Sequence, residues 1–357
     1  MAFQTPALVL SPSTLTLSQD DAAALHDLYV RGTPENTLRA YERDLIYITA
    51  WLATRFGRGP RWPEDEQAAL RFILDHARDL SNAAGPARRA ADALIDAGLR
   101  RSLAPPAPTT LDRRIASWRA FHGMRNLPSP FEAPLIRQAR SKARRAQARP
   151  VIPKSAHPIT RDLLERLLAA CCPNATDPEG NRALRDRALL MTAFASGGRR
   201  RSELASLQRA DVQLGDFDRS GNIRVQLVET KTTRKGETPT LILKARAARA
   251  LVAWIDSAKI TEGPLFRAIS KSGRVLPRGL SPAGVGSIVK ARLEDAGLPR
   301  DYASAHGLRA GFLTQAALDG APIQAAMRLS LHRSVNQAMR YYDDVEIEEN
   351  PAADLLG

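Results

Sequence analysis

The amino-acid sequence predicts a mainly α-helical (α+β) protein with one small β-hairpin, divided into two domains. Apolar residues recur at helical spacing through most of the 357 residues. One short pair of extended stretches, joined by a turn, is the exception. A proline-bounded basic segment separates two helical regions, and a chain of this length can bury two hydrophobic cores.

The first domain is expected over residues 19–126, after a short N-terminal tail at residues 1–18. Ser18 has the side chain of a helix N-cap, and Asp21 follows it by three residues. Gly32 is the expected end of this first helix because glycine commonly follows the last helical turn.

The clearest helix lies in "TPENTLRAYERDLIYITAWLATRFG". Thr33 is expected as its cap, Pro34 as its first residue and Gly57 as its end. One face of this helix is apolar, and it carries Leu38, Tyr41, Leu45, Ile48 and Leu52. Further helices over about 64–79, 86–97 and 110–122 complete an all-helical bundle.

Residues 127–158 are expected to form a basic interdomain linker. Prolines bound it at both ends, in "RNLPSPFEAP" and at Pro150, Pro153 and Pro158. The basic residues occur without any intervening acid and are Arg137, Arg140, Lys142, Arg144, Arg145, Arg149 and Lys154. Such a segment suits a strap along a phosphate backbone. A solvated linker helix is the alternative.

The charge balance indicates a polyanionic partner. Lys and Arg outnumber Asp and Glu by 52 to 38, which gives a net charge of +14 and a pI near 10.4. Phosphate contacts by a basic surface release condensed counterions, so nucleic acid is the expected partner. A basic protein without such a partner is the alternative.

Cysteine usage and hydropathy indicate a cytoplasmic protein. Cys171 and Cys172 are neighbours, so neither a disulfide framework nor a four-ligand zinc site is expected. The N-terminal stretch lacks the basic region of a signal peptide, and Pro6 and Pro12 interrupt its apolar part. No run of 18 apolar residues is present, so no membrane-spanning segment is expected.

The second domain is expected over residues 159–357, including an acidic C-terminal tail. Helices are predicted near 160–172 and 181–196, followed by strands in "GNIRVQLVET" and "TPTLIL" whose turn contains "RKGE". Helices near 245–257, 281–296, 305–318 and 322–329 come next. A last helix leads into the adjacent Tyr341 and Tyr342.

Three stretches of the second domain together describe a phosphate site: "GGRRRSELASLQRADV", "SAHGLRAGF" and "SLHRSVNQAMRYYDDVE". They bring several guanidiniums, two imidazoles and a phenol to one basic domain. Arginine suits a phosphodiester because its planar fork donates two parallel hydrogen bonds and keeps its charge. His306 and Arg309, three residues apart on a predicted helix, would point to one side.

These motifs make the chain resemble the tyrosine recombinases of the phage integrase family over nearly its whole length. The family pattern T-G-L-R-x-S-E-L, aligned on Ser202-Glu203-Leu204, implies that Arg200 is the first catalytic arginine. The run of three arginines leaves this register open by one. The family's H-x-L-R box is matched by His306 and Arg309.

The resemblance also implies a nucleophile and a general acid. In the family, a second histidine precedes the nucleophilic tyrosine by nine residues, which pairs His332 with Tyr341; Tyr342 is one residue too far. The catalytic lysine of the family lies in a β-hairpin. Lys231 is the better match for it, and Lys235 in the turn is the competitor.

The segment "TPENTLRAYERDL" resembles the opening of the family's helical, SAM-like core-binding domain. The resemblance therefore implies a core-binding domain and a catalytic domain that form a clamp round DNA. Only about 18 residues precede the first domain, so a separate arm-binding domain of the lambda type is expected to be absent.

The mechanism implied by the resemblance is stepwise DNA cleavage and rejoining through a Holliday junction. Tyr341 attacks a phosphodiester to form a 3′-phosphotyrosyl link and free a 5′-hydroxyl. The two arginines neutralise the non-bridging oxygens, and Lys231 protonates the leaving oxygen. The two histidines position the phosphate and assist proton movement. No metal, ATP or other cofactor is expected, because the sequence has no Walker loop and no acidic metal cluster.

The implied partners are double-stranded DNA with paired recombination sites and further copies of the chain. A dimer on each site and a tetramer in the synapse are expected, with accessory proteins, in association with a bacterial nucleoid.

The sequence departs from the family pattern at several positions. Leu331 stands in place of the usual glycine, Gly307 in place of an acidic residue, and Ala338 in place of threonine. None of these departures removes a catalytic side chain. Two alternative functions stay open: a recombinase-like DNA-binding protein that does not cleave, and a type IB topoisomerase.

Overall fold

A computed structural model describes residues 18–148, 154–173, 180–215, 217–227 and 239–348. The chain divides into two compact units at residues 150–151. Within the described ranges, no helix has both the length and the apolar character needed to cross a membrane.

In its described part, the first unit consists of helices joined by loops. Its elements are α1 (Gln19–Gly32), α2 (Glu35–Phe56), α3 (Glu66–His76), α4 (Pro86–Asp96), α5 (Pro108–Gly123), a 3₁₀ turn (Pro130–Glu132) and α6 (Pro134–Ala146). Ser18 caps α1, because its side chain accepts a hydrogen bond from the backbone of Asp21. The helix runs through Gly32, where its end was predicted.

Helix α2 begins one residue later than the sequence indicates and ends where predicted. Pro34 is its N-cap residue and not its first helical residue. Gly57 closes it in the left-handed conformation, with φ of 68°, and donates its N–H to the carbonyl of Ala53. Of the predicted apolar face, Leu45, Ile48 and Leu52 are buried.

Edge-to-face aromatic pairs fill the core of the first unit. The ring of Trp51 lies 4.9 Å from Phe72 and 6.3 Å from Trp118, both nearly perpendicular to it. This arrangement brings the positive edge of one ring to the negative face of the next. Helices α2, α3 and α5 are thereby joined in a single core.

Helix α6 corrects the predicted extent of the linker. Residues 134–146 form a helix of the first unit, with Ile136 and Ala143 buried in its core. The side chain of Arg140 donates a hydrogen bond of 2.6 Å to Asp112 of α5. The first unit therefore extends beyond residue 126, because two apolar residues seven positions apart anchor one face of an otherwise basic helix.

The second unit is a helical domain with two small sheets. Its helices are α7 (Arg161–Ala169), α8 (Asn181–Ala195), α9 (Arg201–Ser206), α10 (Phe217–Ser220), α11 (Ala245–Ser257), α12 (Pro282–Asp295), α13 (Gly307–Leu318), α14 (Ile323–Ser330) and α15 (Val335–Glu348). Helices α8 and α11 pack along each other, and Trp254 of α11 is fully buried beside them. Its indole N–H donates to the carbonyl of Leu265.

The first sheet confirms the predicted hairpin. Strands β1 (Val212–Gln213), β2 (Ile223–Gln226) and β3 (Thr240–Leu243) are antiparallel in that order, with Val225 opposite Leu241. Residues 228–238 lie outside the described residues. A second hairpin, β4 (Arg267–Ile269) with β5 (Val275–Gly279), was not expected from the sequence.

Candidate active site

A glycine turn joins the three motif stretches of the second unit. Gly197 and Gly198 have φ of 91° and 71°, a conformation that side chains strain. A Cβ atom on Gly197 would lie 2.4 Å from the carbonyl group of Leu329, and one on Gly198 would lie 2.3 Å from the Cα of Arg309. The turn between α8 and α9 therefore lies directly against α13 and α14.

Arg200 and Arg199 occupy different environments after this turn. The side chain of Arg200 is 29% exposed, and its Nη1 donates to Glu203 Oε1 at 2.6 Å. Glu203 also accepts the backbone N–H of Arg200 and so fixes the start of α9. The side chain of Arg199 is only 1% exposed. Of the two, Arg200 is the one that a DNA phosphate can reach.

Arg309 and His332 are in direct contact. Nε of Arg309 lies 3.3 Å from His332 Nε2, and Nη2 lies 3.0 Å from Nδ1. The remaining amino group donates to the carbonyl of Gly198. Ser330 Oγ lies 2.8 Å from His332 Nδ1. This network fixes the second motif arginine to both the glycine turn and the segment after α14.

Both motif histidines are neutral at neutral pH. Burial, together with the charges of Arg309 and Arg200, lowers the pKa of His332 to about 4. Burial also lowers the pKa of His306 to about 4, with Lys154 as the next cause. A neutral imidazole can accept one hydrogen bond and donate another, so both rings suit proton movement beside a phosphate.

The two adjacent tyrosines of α15 differ in their hydroxyl partners. Tyr342 is 6% exposed, and its hydroxyl donates to the carbonyl of Ala321 at 3.0 Å. Tyr341 is partly exposed. Burial raises the pKa of Tyr341, while the charges of Arg309 and Arg340 act in the opposite direction. The Tyr341 phenol therefore lies within the electrostatic reach of the Arg309 guanidinium.

Close packing explains glycine at position 307. A Cβ atom there would lie 2.7 Å from Ser155 Oγ and 3.0 Å from the carbonyl oxygen of His157. The carbonyl of Gly307 also accepts the N–H of Ile159. The acidic residue common in the family would collide with this incoming segment. Ala338 is fully buried, where the hydroxyl of the usual threonine would need a partner.

The structure brings Arg200, His306, Arg309, His332 and Tyr341 together in the second unit. Lys231 and Lys235 lie outside the described residues. Of the basic segment, Arg137, Arg140, Lys142, Arg144 and Arg145 belong to α6 of the first unit, and Arg149 lies outside the described residues.

Sequence reasoning missed two groups that shape the site. Glu203 orients Arg200, and its place in the R-x-S-E-L pattern was the signal that could have revealed this role. Ser304 Oγ donates to the carbonyl of Lys154 and accepts the N–H of His306. No local pattern marks that link, because its partners lie 150 residues apart.

Within the described ranges, no three His, Cys, Asp or Glu side chains are grouped closely enough to hold a metal ion. The polar groups of the site are cations, imidazoles, a phenol and the carboxylate of Glu203, which pairs with Arg200. Such a donor set suits a phosphodiester and contains the parts of a nucleophilic displacement at phosphorus.

Comparisons with known proteins agree with this chemistry. Residues 158–347 match the model described as the phage integrase family. An integrase/recombinase xerD homolog of Selenomonas ruminantium is 31% identical over 332 residues, which cover 91% of this chain and 86% of that protein. Tyrosine recombinase XerC of Pelotomaculum thermopropionicum is 27% identical over 317 residues, or 87% and 88% of the two chains.

A solved structure has the same fold. The Tn1549 transposon integrase in complex with transposon right end DNA aligns with a TM-score of 0.57 at 16% identity. The alignment covers 92% of this chain and 97% of that one. A match of this extent includes residues of both compact units.

Proposed function

This chain belongs to the phage integrase family, and we propose that it breaks and rejoins DNA at specific sites through a covalent phosphotyrosyl intermediate. Its partner is double-stranded DNA. The recombinase names of its relatives support this reaction. The two compact units would act as a core-binding domain and a catalytic domain that together clamp the duplex.

The proposed reaction is a transesterification. The Tyr341 oxygen attacks phosphorus, a 3′-phosphotyrosyl bond forms, and the bond to the 5′-oxygen breaks. Arg200 and Arg309 donate to the non-bridging oxygens, where negative charge increases in the transition state. Lys231 gives a proton to the 5′-oxygen, and the neutral His306 and His332 orient the phosphate and assist removal of the Tyr341 phenol proton.

One observation carries the assignment of the nucleophile. Tyr342 is buried and its hydroxyl donates to the carbonyl of Ala321, while Tyr341 is partly exposed and lies within electrostatic reach of Arg309. A nucleophilic oxygen has to reach phosphorus, and the hydroxyl of a buried tyrosine that is bonded to a backbone carbonyl must first leave that contact. This geometry supports the nine-residue spacing that selects Tyr341.

A nicked DNA substrate that traps the covalent complex tests the proposal. We expect Tyr341→Phe to abolish covalent attachment, because no oxygen remains to attack phosphorus. Tyr342→Phe is the matched control: it should retain attachment and lose about 1 kcal/mol of stability with its hydrogen bond. A phosphotyrosyl peptide mapped to Tyr342 would overturn the assignment.

The same assay separates the alternative functions. A recombinase-like protein that does not cleave would bind DNA and never become attached. A type IB topoisomerase would relax a supercoiled plasmid without paired sites, whereas a recombinase would produce exchanged products only when two sites are present. Exchange that depends on paired sites is the expected result.

The proposal also includes the number of protomers that assemble on DNA. A dimer on each site and a tetramer in the synapse would align two cleavage sites for strand exchange, with accessory proteins setting its direction. Sedimentation of the protein with one and with two sites tests these stoichiometries. A complex that never exceeds two protomers would contradict the synaptic tetramer.

A further inference from the structure

Arg199 lies in the core beneath the site, although the proposed reaction does not require it to touch DNA. Its Nη2 donates to the carbonyl oxygen of Leu329, and its Nη1 lies 3.7 Å from Glu203 Oε2. Nε and Nη1 have no hydrogen-bond partner within the described part of the chain. A buried charge with unmet donors is unfavourable unless its contacts bring a compensating gain.

The contact with Leu329 lies at the end of α14. The last carbonyls of a helix lack intrahelical partners, and here a guanidinium from another element satisfies one of them. Two residues later, Leu331 has φ of 55° and donates its N–H to the carbonyl of Met327. Leucine is strained in this left-handed conformation, which glycine adopts freely. His332 follows directly.

We propose that Arg199 is a positioning residue for His332, clamping the end of α14 so that the strained turn at Leu331 keeps the imidazole against Arg309. The family pattern has leucine at position 199 and glycine at position 331, so the two departures occur together. The contact made by Arg199 offsets the strain of leucine in a conformation that glycine would adopt freely. Its catalytic consequence rests on the proposed function.

Glu203 extends the same clamp to the first motif arginine. Its Oε2 atom is the ion-pair partner of Arg199 and also accepts the backbone N–H of Arg200. Its Oε1 atom accepts Nη1 of Arg200. Arg199 therefore connects the start of α9, which holds Arg200, with the end of α14, which leads to His332.

A double-mutant cycle in the full-length chain tests the proposal, with Arg199→Leu, Leu331→Gly and the combined variant. We expect Arg199→Leu to slow single-turnover cleavage of a nicked substrate at least about tenfold, because small displacements of catalytic groups have large effects. Half-site binding should stay within about twofold. Leu331→Gly in the same chain should recover most of the lost rate, giving a strongly non-additive cycle. Additive effects would overturn the proposal.

Arg187, an exposed arginine that also caps a helix, supplies a control outside the site. Its Nη2 donates to the carbonyls of Leu168 and Cys171, so it caps the end of α7 as Arg199 caps α14. Arg187→Leu should lower the melting temperature and leave the cleavage rate of the folded protein unchanged. If it slows cleavage as much as Arg199→Leu does, the effect of Arg199 is a general loss of structure and the proposal fails.

A readout without DNA separates this inference from the proposed function. Selective labelling of histidine, with His332→Gln for assignment, should show one set of His332 imidazole resonances in the wild-type protein. Arg199→Leu should broaden or split them, and the combined variant should restore one set. Unchanged resonances in Arg199→Leu would refute the clamp, even if cleavage proved to be wrongly assigned. Absence of any covalent complex with the wild-type protein would instead refute the proposed function.

Discussion

The guanidiniums of the candidate site concentrate positive charge in a small volume. Burial lowers the pKa of Arg309 to about 10 and that of Arg199 to about 10, so both remain charged at neutral pH. Arg200 adds a third cation that acts on Arg309, and Glu203 supplies one compensating carboxylate. Like charges in a low-dielectric site repel each other. A bound phosphodiester would relieve this repulsion, so the charge of the site is expected to favour phosphate binding.

The proposed role of Lys231 as general acid can be tested by changing the leaving group of the cleavage reaction. Lys231→Ala should cleave normal DNA poorly, because an alkoxide leaves slowly without a proton. A substrate with sulfur at the 5′-bridging position needs little protonation, so cleavage should recover on it. Lys235→Ala serves as the control on both substrates. Recovery shown by Lys235→Ala, and not by Lys231→Ala, would assign the general acid to Lys235.

At the scale of elements, α6 combines an anchored face with a basic one. Ile136 and Ala143 fix the helix to the first unit, and Arg140 is paired with Asp112. Arg144 and Arg145 are exposed in its last turn. A helix held rigidly in a domain presents its charges at lower entropic cost than a flexible strap, which favours phosphate binding by its exposed basic side chains.

The charges of α6 predict the salt dependence of DNA binding. Each phosphate contact contributes roughly 0.9 to the slope of log affinity against log salt. The double change of Arg144 and Arg145 to Ala should therefore lower the slope by about 2 if both residues contact phosphate. Arg140→Ala should change the slope less, because that side chain already pairs with Asp112. Equal slopes for wild type and the double variant would exclude contacts by this turn.

At the scale of the whole molecule, buried histidines make stability depend on pH. Burial lowers the pKa of His76 to about 3, and the pKa values of His306 and His332 lie at about 4. Unfolded histidine titrates near 6.5. Between that pH and about 4, the unfolded chain binds protons that the folded chain does not. The contribution of these histidines to the free energy of unfolding is therefore full above pH 6.5 and is lost as the pH falls through this window.

Urea unfolding from pH 7.5 to pH 5 checks this dependence. His76 alone should contribute a slope of about 1.4 kcal/mol per pH unit below pH 6.5. His332→Gln should reduce the slope for the second unit, because it removes one group that protonates only on unfolding. A free energy of unfolding that stays constant from pH 7.5 to pH 5 would contradict the neutral state of these histidines.

The acidic C-terminal residues predict a role in assembly. After Tyr341 the sequence carries Asp343, Asp344, Glu346, Glu348, Glu349 and Asp354 and no basic residue. DNA phosphates would repel this tail, so we expect it to dock on protein, on a neighbouring protomer or on its own domain. Residues 349–357 lie outside the described residues.

Deleting residues 347–357 should leave binding to one half-site nearly unchanged and weaken cooperative filling of the second. A full-length variant in which Ile347, Leu355 and Leu356 become serine tests the apolar contacts separately, because it retains the acidic charge. Both variants should lose cooperativity in gel-shift titrations. Equal cooperativity in the truncated and full-length proteins would show that the tail does not act between protomers.

The sequence by itself determined the family, the division into helices and one hairpin, and the choice of candidate site residues. These features are local. Helix periodicity, a capping Ser18 and a closing Gly57 depend on neighbours within a few residues, and the nine-residue interval from His332 to Tyr341 is a property of spacing alone. The roles of the site residues stay predictions that the geometry supports.

Only the tertiary structure decided which side chains are covered and which remain accessible. It placed basic α6 in the first unit, separated buried Arg199 from accessible Arg200, and committed the Tyr342 hydroxyl to Ala321. It also showed why glycine stands at position 307. Each outcome depends on close approach between segments far apart in the chain, and burial and steric contact of that kind leave no periodic signal in the sequence.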